Sequence, residues 1–126
     1  MKVWIGIVGL MLTPLLGACA GQARPVELES RVSLHCAVIE SVSLVDGELT
    51  INAGEKPTPG YGIEIVSQTR DRERITVAYR LSTPAAGAIL PQMMTSPCRQ
   101  IQLPEDWKRL NVSNEDSGQT WVFEHP

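Results

Sequence analysis

The feature that most limits the fold is a hydrophobic period of two. Val32, Leu34, Cys36 and Val38 alternate with Arg31, Ser33, His35 and Ala37, while Tyr61, Ile63 and Ile65 make a second stripe and Ile75, Val77, Tyr79 and Leu81 a third. Side chains of a strand point alternately to its two faces, so each run predicts one face in a core, and Cys36 falls on such a face. Past the first 18 residues, no window of about eleven residues keeps apolar side chains at helical spacing, whereas alternating runs recur about every ten residues. The expected fold is all-β, either a small antiparallel β-sandwich or a partly open barrel, and periodicity alone leaves both open.

Turn chemistry fixes how these strands connect. Asp46-Gly47 lies between Val42 with Leu44 and Leu49 with Ile51, and such a dipeptide accepts the positive backbone angles of a type I′ hairpin. The segment Thr69 to Arg74 interleaves Arg70, Arg72 and Arg74 with Asp71 and Glu73, a solvated turn joining two antiparallel neighbours. Beyond Pro84-Ala85-Ala86-Gly87, the runs Ile89 to Thr95 and Cys98 to Leu103 read as two strands or as one bent at Pro97. Cys98 is out of phase with Ile101 and Leu103, which requires a bulge near Pro97 or a second covered face. Pro104 to Lys108 fits one helical turn, and Asn114 to Gly118 separates Leu110 and Val112 from Trp121 and Phe123 as a closing hairpin.

The N-terminus carries a different signal. Lys2 precedes an apolar run from Val3 to Leu16, interrupted by Gly6, Gly9, Thr13 and Pro14, too short and too broken for a spanning helix of roughly 20 residues. Its end, Leu16-Gly17-Ala18-Cys19, resembles a bacterial lipobox, in which the Cys thiol is acylated and becomes the mature N-terminus. The implied organisation is a signal peptide over 1–18, a lipidated N-terminus and tether over 19–30 with Cys19 as the lipid attachment site, and a single β domain over 31–126. The implied location is the bacterial cell envelope, anchored to a membrane through several acyl chains, because one chain holds a protein only marginally. Ala20 rather than Asp after the Cys suggests, by the same resemblance, the outer membrane facing the periplasm in a Gram-negative cell.

Loss of Lys2 with the leader leaves ten basic groups against fourteen acidic ones, a balance that argues against a nucleic-acid partner. With Cys19 acylated, Cys36 and Cys98 remain, in a compartment where thiols are oxidised, and a structural disulfide is the expected pairing. No CxxC spacing or cluster of histidines suggests a metal site or a catalytic thiol, and no cofactor motif is present. His35 and His125 are the histidines, the first on the polar face of a strand and the second beside the C-terminus, with no nucleophile framed by either, so a non-catalytic protein is expected. Met93-Met94 reads as filler for an irregular core gap.

The stretch with most potential for recognition is Lys56-Pro57-Thr58-Pro59-Gly60-Tyr61-Gly62, which prolines and glycines pre-shape so that little entropy is lost on docking a protein partner. A tight connection between strands would account for the same residues. This stretch continues through Ile63-Glu64-Ile65, and with Leu81-Ser82-Thr83-Pro84-Ala85-Ala86-Gly87-Ala88 and Thr95-Ser96-Pro97-Cys98 it resembles the PrcB C-terminal domain, between Asn52 and Leu103. The resemblance implies a lipoprotein of a bacterial protease complex with an accessory, stabilising role. Pro59, where that family often has Gly, and Cys98, where it commonly has an aromatic segment, depart from the pattern. Thr58, Gly60 and Tyr61 are also similar to a binding loop of chagasin-type cysteine-protease inhibitors, which implies direct inhibition as an alternative; the inhibitor's other loops have no match. A third alternative is a structural envelope lipoprotein without a specific partner.

Overall fold

The computed structural model describes residues 23–126, so the leader and Cys19 lie outside the described residues. Nine strands form two sheets: β1 (Arg24–Pro25), β2 (Ser30–Ser33), β3 (Ser41–Val45), β4 (Glu48–Asn52), β5 (Gly62–Asp71), β6 (Arg74–Ser82), β7 (Cys98–Gln102), β8 (Arg109–Asn114) and β9 (Thr120–Glu124). The larger sheet has the order β1-β5-β6-β8-β9 and the smaller β2-β7-β4-β3, and neither closes on itself. The protein is therefore an open β-sandwich. Its core comes from alternate residues of both inner faces: Leu49, Ile51 and Ile101 from the smaller sheet meet Ile63, Ile75, Val77, Tyr79, Leu110 and Val112 from the larger.

The hairpins follow the local sequence. Asp46 and Gly47 have φ of 49° and 76°, the double positive angle of a type I′ turn, and β3 pairs with β4 from Ser41↔Asn52 to Val45↔Glu48. Arg72, at φ 58°, turns β5 back into β6, which pairs with it along its whole length; a bulge between Ile65 and Ser67 leaves Val66 half-exposed. β8 and β9 form the closing hairpin. Trp107 N–H donates to the Pro104 carbonyl at 3.2 Å, closing the single turn expected there.

One pairing is not antiparallel. β6 runs parallel to β8, and the chain between them crosses to the smaller sheet, lays down β7 beside β4 and returns, the long connection that parallel neighbours require. Periodicity gave no sign of this, because it reports which face is buried and not which strand lies alongside.

Three expectations need correcting. The run Val32 to Val38 is not a core strand: β2 ends at Ser33, is exposed throughout and forms an edge, while Val32 and Val38 are 59% and 60% exposed. Ile89 to Thr95 is not a strand either, and Ile89 is fully exposed. The tether over 19–30 is shorter than expected: Arg24 and Pro25 pair with β5, Val26 N–H donates to the Gln68 carbonyl at 3.1 Å, and Leu28 packs against the core.

Candidate partner-binding site

Three irregular segments meet at one end of the sandwich, and backbone hydrogen bonds strap them together. Lys56 and Thr95 exchange both of their backbone bonds, at 2.7 and 2.9 Å, which pins the start of the Lys56 to Gly62 loop to the segment leading into β7. The Thr95 hydroxyl donates to the Thr58 carbonyl at 3.2 Å, and Thr95 itself is buried. Gly60 has φ +97° and lies so close to Pro84 that a Cβ there would come within 3.0 Å of its ring, with Leu90 at 3.4 Å. Lys56 Nζ stands 5.9 Å from the centre of the Tyr61 ring, within the range of cation–π attraction. The loop is thus held from both sides.

The third segment is residues 34–40. Cys36 N–H donates to the Ser96 carbonyl at 2.9 Å, Ser96 N–H donates to the Leu34 carbonyl at 2.7 Å, and Glu55 N–H donates to the Val38 carbonyl at 3.1 Å. Cys36 and Cys98 form a disulfide with their Cα atoms 5.9 Å apart. Cys98 is paired with Asn52 and sits on the face of β7 opposite to Ile101, yet it is buried. Of the two arrangements the sequence allows, the second holds: residues 34–40 cover the outer face of the sheet at this point. The same cover explains Gly54, whose added Cβ would lie 3.2 Å from the Glu40 nitrogen.

This strapped end displays apolar side chains. Val38, Ile39 (74% exposed), Ile89, Met93 and Met94 stand in solvent on the segments that flank the loop. Met93 and Met94 therefore do not fill a core gap. Exposed apolar groups on a small domain are candidates for contact surfaces, and flexible thioethers suit such surfaces. Sequence reasoning missed these residues because it assigned Val38 to one strand and Ile89, Met93 and Met94 to another or to the core.

Below the loop, on β5 and β6, the Arg80 guanidinium grips Glu64 through two bonds of 2.9 Å. That hydrogen bonding, reinforced by the positive charge, holds the Glu64 carboxyl below the usual carboxylate range. Asp106, gripped by Arg70 at the far end of the molecule, is lowered in the same way. The histidines lie apart. His35 is exposed beside Ser96, whereas His125 packs edge-on to Trp107 at 4.9 Å at the opposite end of β7. Among the described residues, no group of three or more His, Cys, Asp or Glu side chains is placed to hold a metal ion, and no helix is long and apolar enough to cross a membrane. The arrangement at the strapped end is suited to contact: a loop held by backbone hydrogen bonds, with exposed apolar side chains on the segments beside it.

Neither the curated proteins nor the solved structures include a match to this chain. A protein-family model does match: residues 49–104, which run from β4 through the loop, the β5–β6 hairpin and the Pro84 to Pro97 segment to the end of β7, fit the family described as PrcB C-terminal. Through this segment, which contains the Lys56 to Gly62 loop and nine of the twelve buried core residues, the chain is similar to the PrcB C-terminal family.

Proposed function

We propose that the protein is a non-catalytic accessory lipoprotein of the bacterial envelope, anchored through Cys19, which holds a protein partner, a protease, against the end built from the Lys56 to Gly62 loop. The match to the PrcB C-terminal family model supports the accessory role and the association with a protease complex. The single observation that carries the choice of surface is that the loop inside the family segment is strapped by Thr95 and Pro84 and flanked by exposed Ile39, Ile89, Met93 and Met94. A surface ordered before contact loses little conformational entropy on binding.

The course of the chain supports an orientation as well. β1 pairs with Thr69 and Arg70, at the end of β5 remote from Gly62, so the chain enters the sandwich roughly 25 Å from the loop, given about 3.3 Å per strand residue. Cys19 is five residues before Arg24, a reach of at most about 18 Å. An acylated Cys19 keeps the Asp71 to Arg74 turn near the membrane and directs the loop end away from it, towards a neighbouring protein. Metabolic labelling with an alkynyl palmitate analogue tests the anchor: wild type takes up label and Cys19→Ser does not. Equal labelling of both would remove the anchor from this account.

A further inference from the structure

The side of the sandwich between β3 and β9 is open. β3 ends the smaller sheet and β9 ends the larger, and both edges line the same two cavities: one of about 700 Å³ beside Leu44, Asp46, Phe123 and Glu124, and one of about 470 Å³ beside Ser41, Val42 and Trp121. The starts of both strands meet at one cavity and their ends at the other, so the strands run in the same direction along an unclosed seam. Val42, Leu44, Trp121 and Phe123 reach the core but stay only partly buried, which gives the seam an apolar floor.

Both edges offer backbone groups for pairing. Val45 and Glu48 flank a two-residue turn and form a hydrogen-bonded pair, so alternation turns the N–H and C=O groups of Val42 and Leu44 outward. In β9 the bonds from His125 N–H to the Lys108 carbonyl and from Asn114 N–H to the Gln119 carbonyl mark the inward set, leaving Thr120, Val122 and Glu124 outward. Sheets ordinarily blunt such edges with short strands, prolines or charges. The opposite edges follow that rule, since β1 is the dipeptide Arg24–Pro25 and β2 carries Arg31. β3, Ser-Val-Ser-Leu-Val, has no charge, Pro or Gly, and Val45 is 65% exposed.

We infer that this seam receives an extended, basic segment of a protein partner, which adds a strand to the free edge of β3 and lays alternate apolar side chains on Leu44, Trp121 and Phe123. The bonding pattern asks for an extended backbone and the floor for apolar side chains at every second position. Charge fixes the remainder: the cavity walls carry Glu40, Asp46, Glu105 and Glu124 and no Lys or Arg, and only Glu124 is in an ion pair among the described residues, with Arg109. Lysine or arginine at the alternate positions of the segment meets these carboxylates. This goes beyond the proposed role of the loop end and shares only Glu40, at the end of its 34–40 segment.

The probe is a blocked hexapeptide, Lys-Val-Lys-Val-Lys-Val, added to the full chain in detergent and followed by amide hydrogen exchange. The expected result is at least fivefold slower exchange over residues 41–45, with at least tenfold weaker binding when Glu replaces Lys in the probe. Of two probes N-methylated either at the valines or at the lysines, one loses at least tenfold in affinity and the other does not, a readout that leaves the protein unaltered. Leu44→Pro, which removes an outward N–H, also weakens binding tenfold. No slowing at millimolar probe, equal binding of the Glu peptide, equal loss for both methylated probes, or protection of residues 41–45 by self-association without probe would each overturn the inference.

Discussion

Gly60 and Gly87 both hold positive φ, at 97° and 79°, but a Cβ at Gly60 meets Pro84 while one at Gly87 meets nothing within 4 Å. Gly87→Ala therefore bears only the backbone cost of the left-handed region, about 1 kcal/mol, whereas Gly60→Ala adds a clash with a packed ring and loses about 2–3 kcal/mol in urea unfolding. Equal losses would mean that the loop is not seated on Pro84. Tyr61→Ala is in consequence the cleaner probe of contact, because Tyr61 is half-buried and its removal leaves the backbone straps in place. Acid response is also set by single residues. Arg80 and Arg70 depress Glu64 and Asp106 in the folded state, so their contribution to stability is present above the ordinary carboxylate pKa of about 4 and is lost as pH falls through the lower folded values. Glu64→Gln is expected to flatten the fall in melting temperature below about pH 4.5, and an unchanged acid limb would contradict the pairing.

At the scale of elements, β4 and β7 carry the centre of the smaller sheet: Leu49 and Ile101 face each other in register and neither is exposed. Either one changed to Ala costs about 2–5 kcal/mol by denaturant unfolding, while Val32→Ala on the exposed β2 edge stays within about 0.5 kcal/mol. The sequence would have placed all three in a core. Alternation was a sound guide where a turn of known type fixed both strands, as at Asp46-Gly47, and for the long β5–β6 pair. It misled at Leu34 to Val38 and at Ile89 to Thr95, because a period of two says that a face is apolar without saying what covers it. There the covering layer is absent, and the same apolar residues become the candidate surface. The loop itself was legible from its prolines and glycines, but its straps through Thr95 and Pro84 join residues 24 to 39 positions apart, which local pattern does not reveal.

For the whole molecule, the disulfide and the chain entry sit at opposite ends. Cys36 and Cys98 are 62 residues apart, and a cross-link over a loop of that length restricts the unfolded chain by about 4 kcal/mol, a large part of a small domain's net stability. Replacing both with Ser is expected to lower the unfolding free energy by about that amount and to loosen residues 34–40 in hydrogen exchange before the core; a loss under about 1 kcal/mol would show that hydrogen bonds to Ser96 alone hold the segment. The stapled end is then the part whose order the disulfide protects. The most direct test is crosslinking in intact cells followed by mass spectrometry, comparing wild type with a Tyr61→Ala, Met94→Ser double variant shown to be folded and equally abundant. The account predicts that wild type crosslinks to a protease through residues 56–62 and 89–94 and that the variant loses the adduct at least tenfold; an undiminished adduct, or one mapped to the Asp71 to Arg74 end, would contradict it.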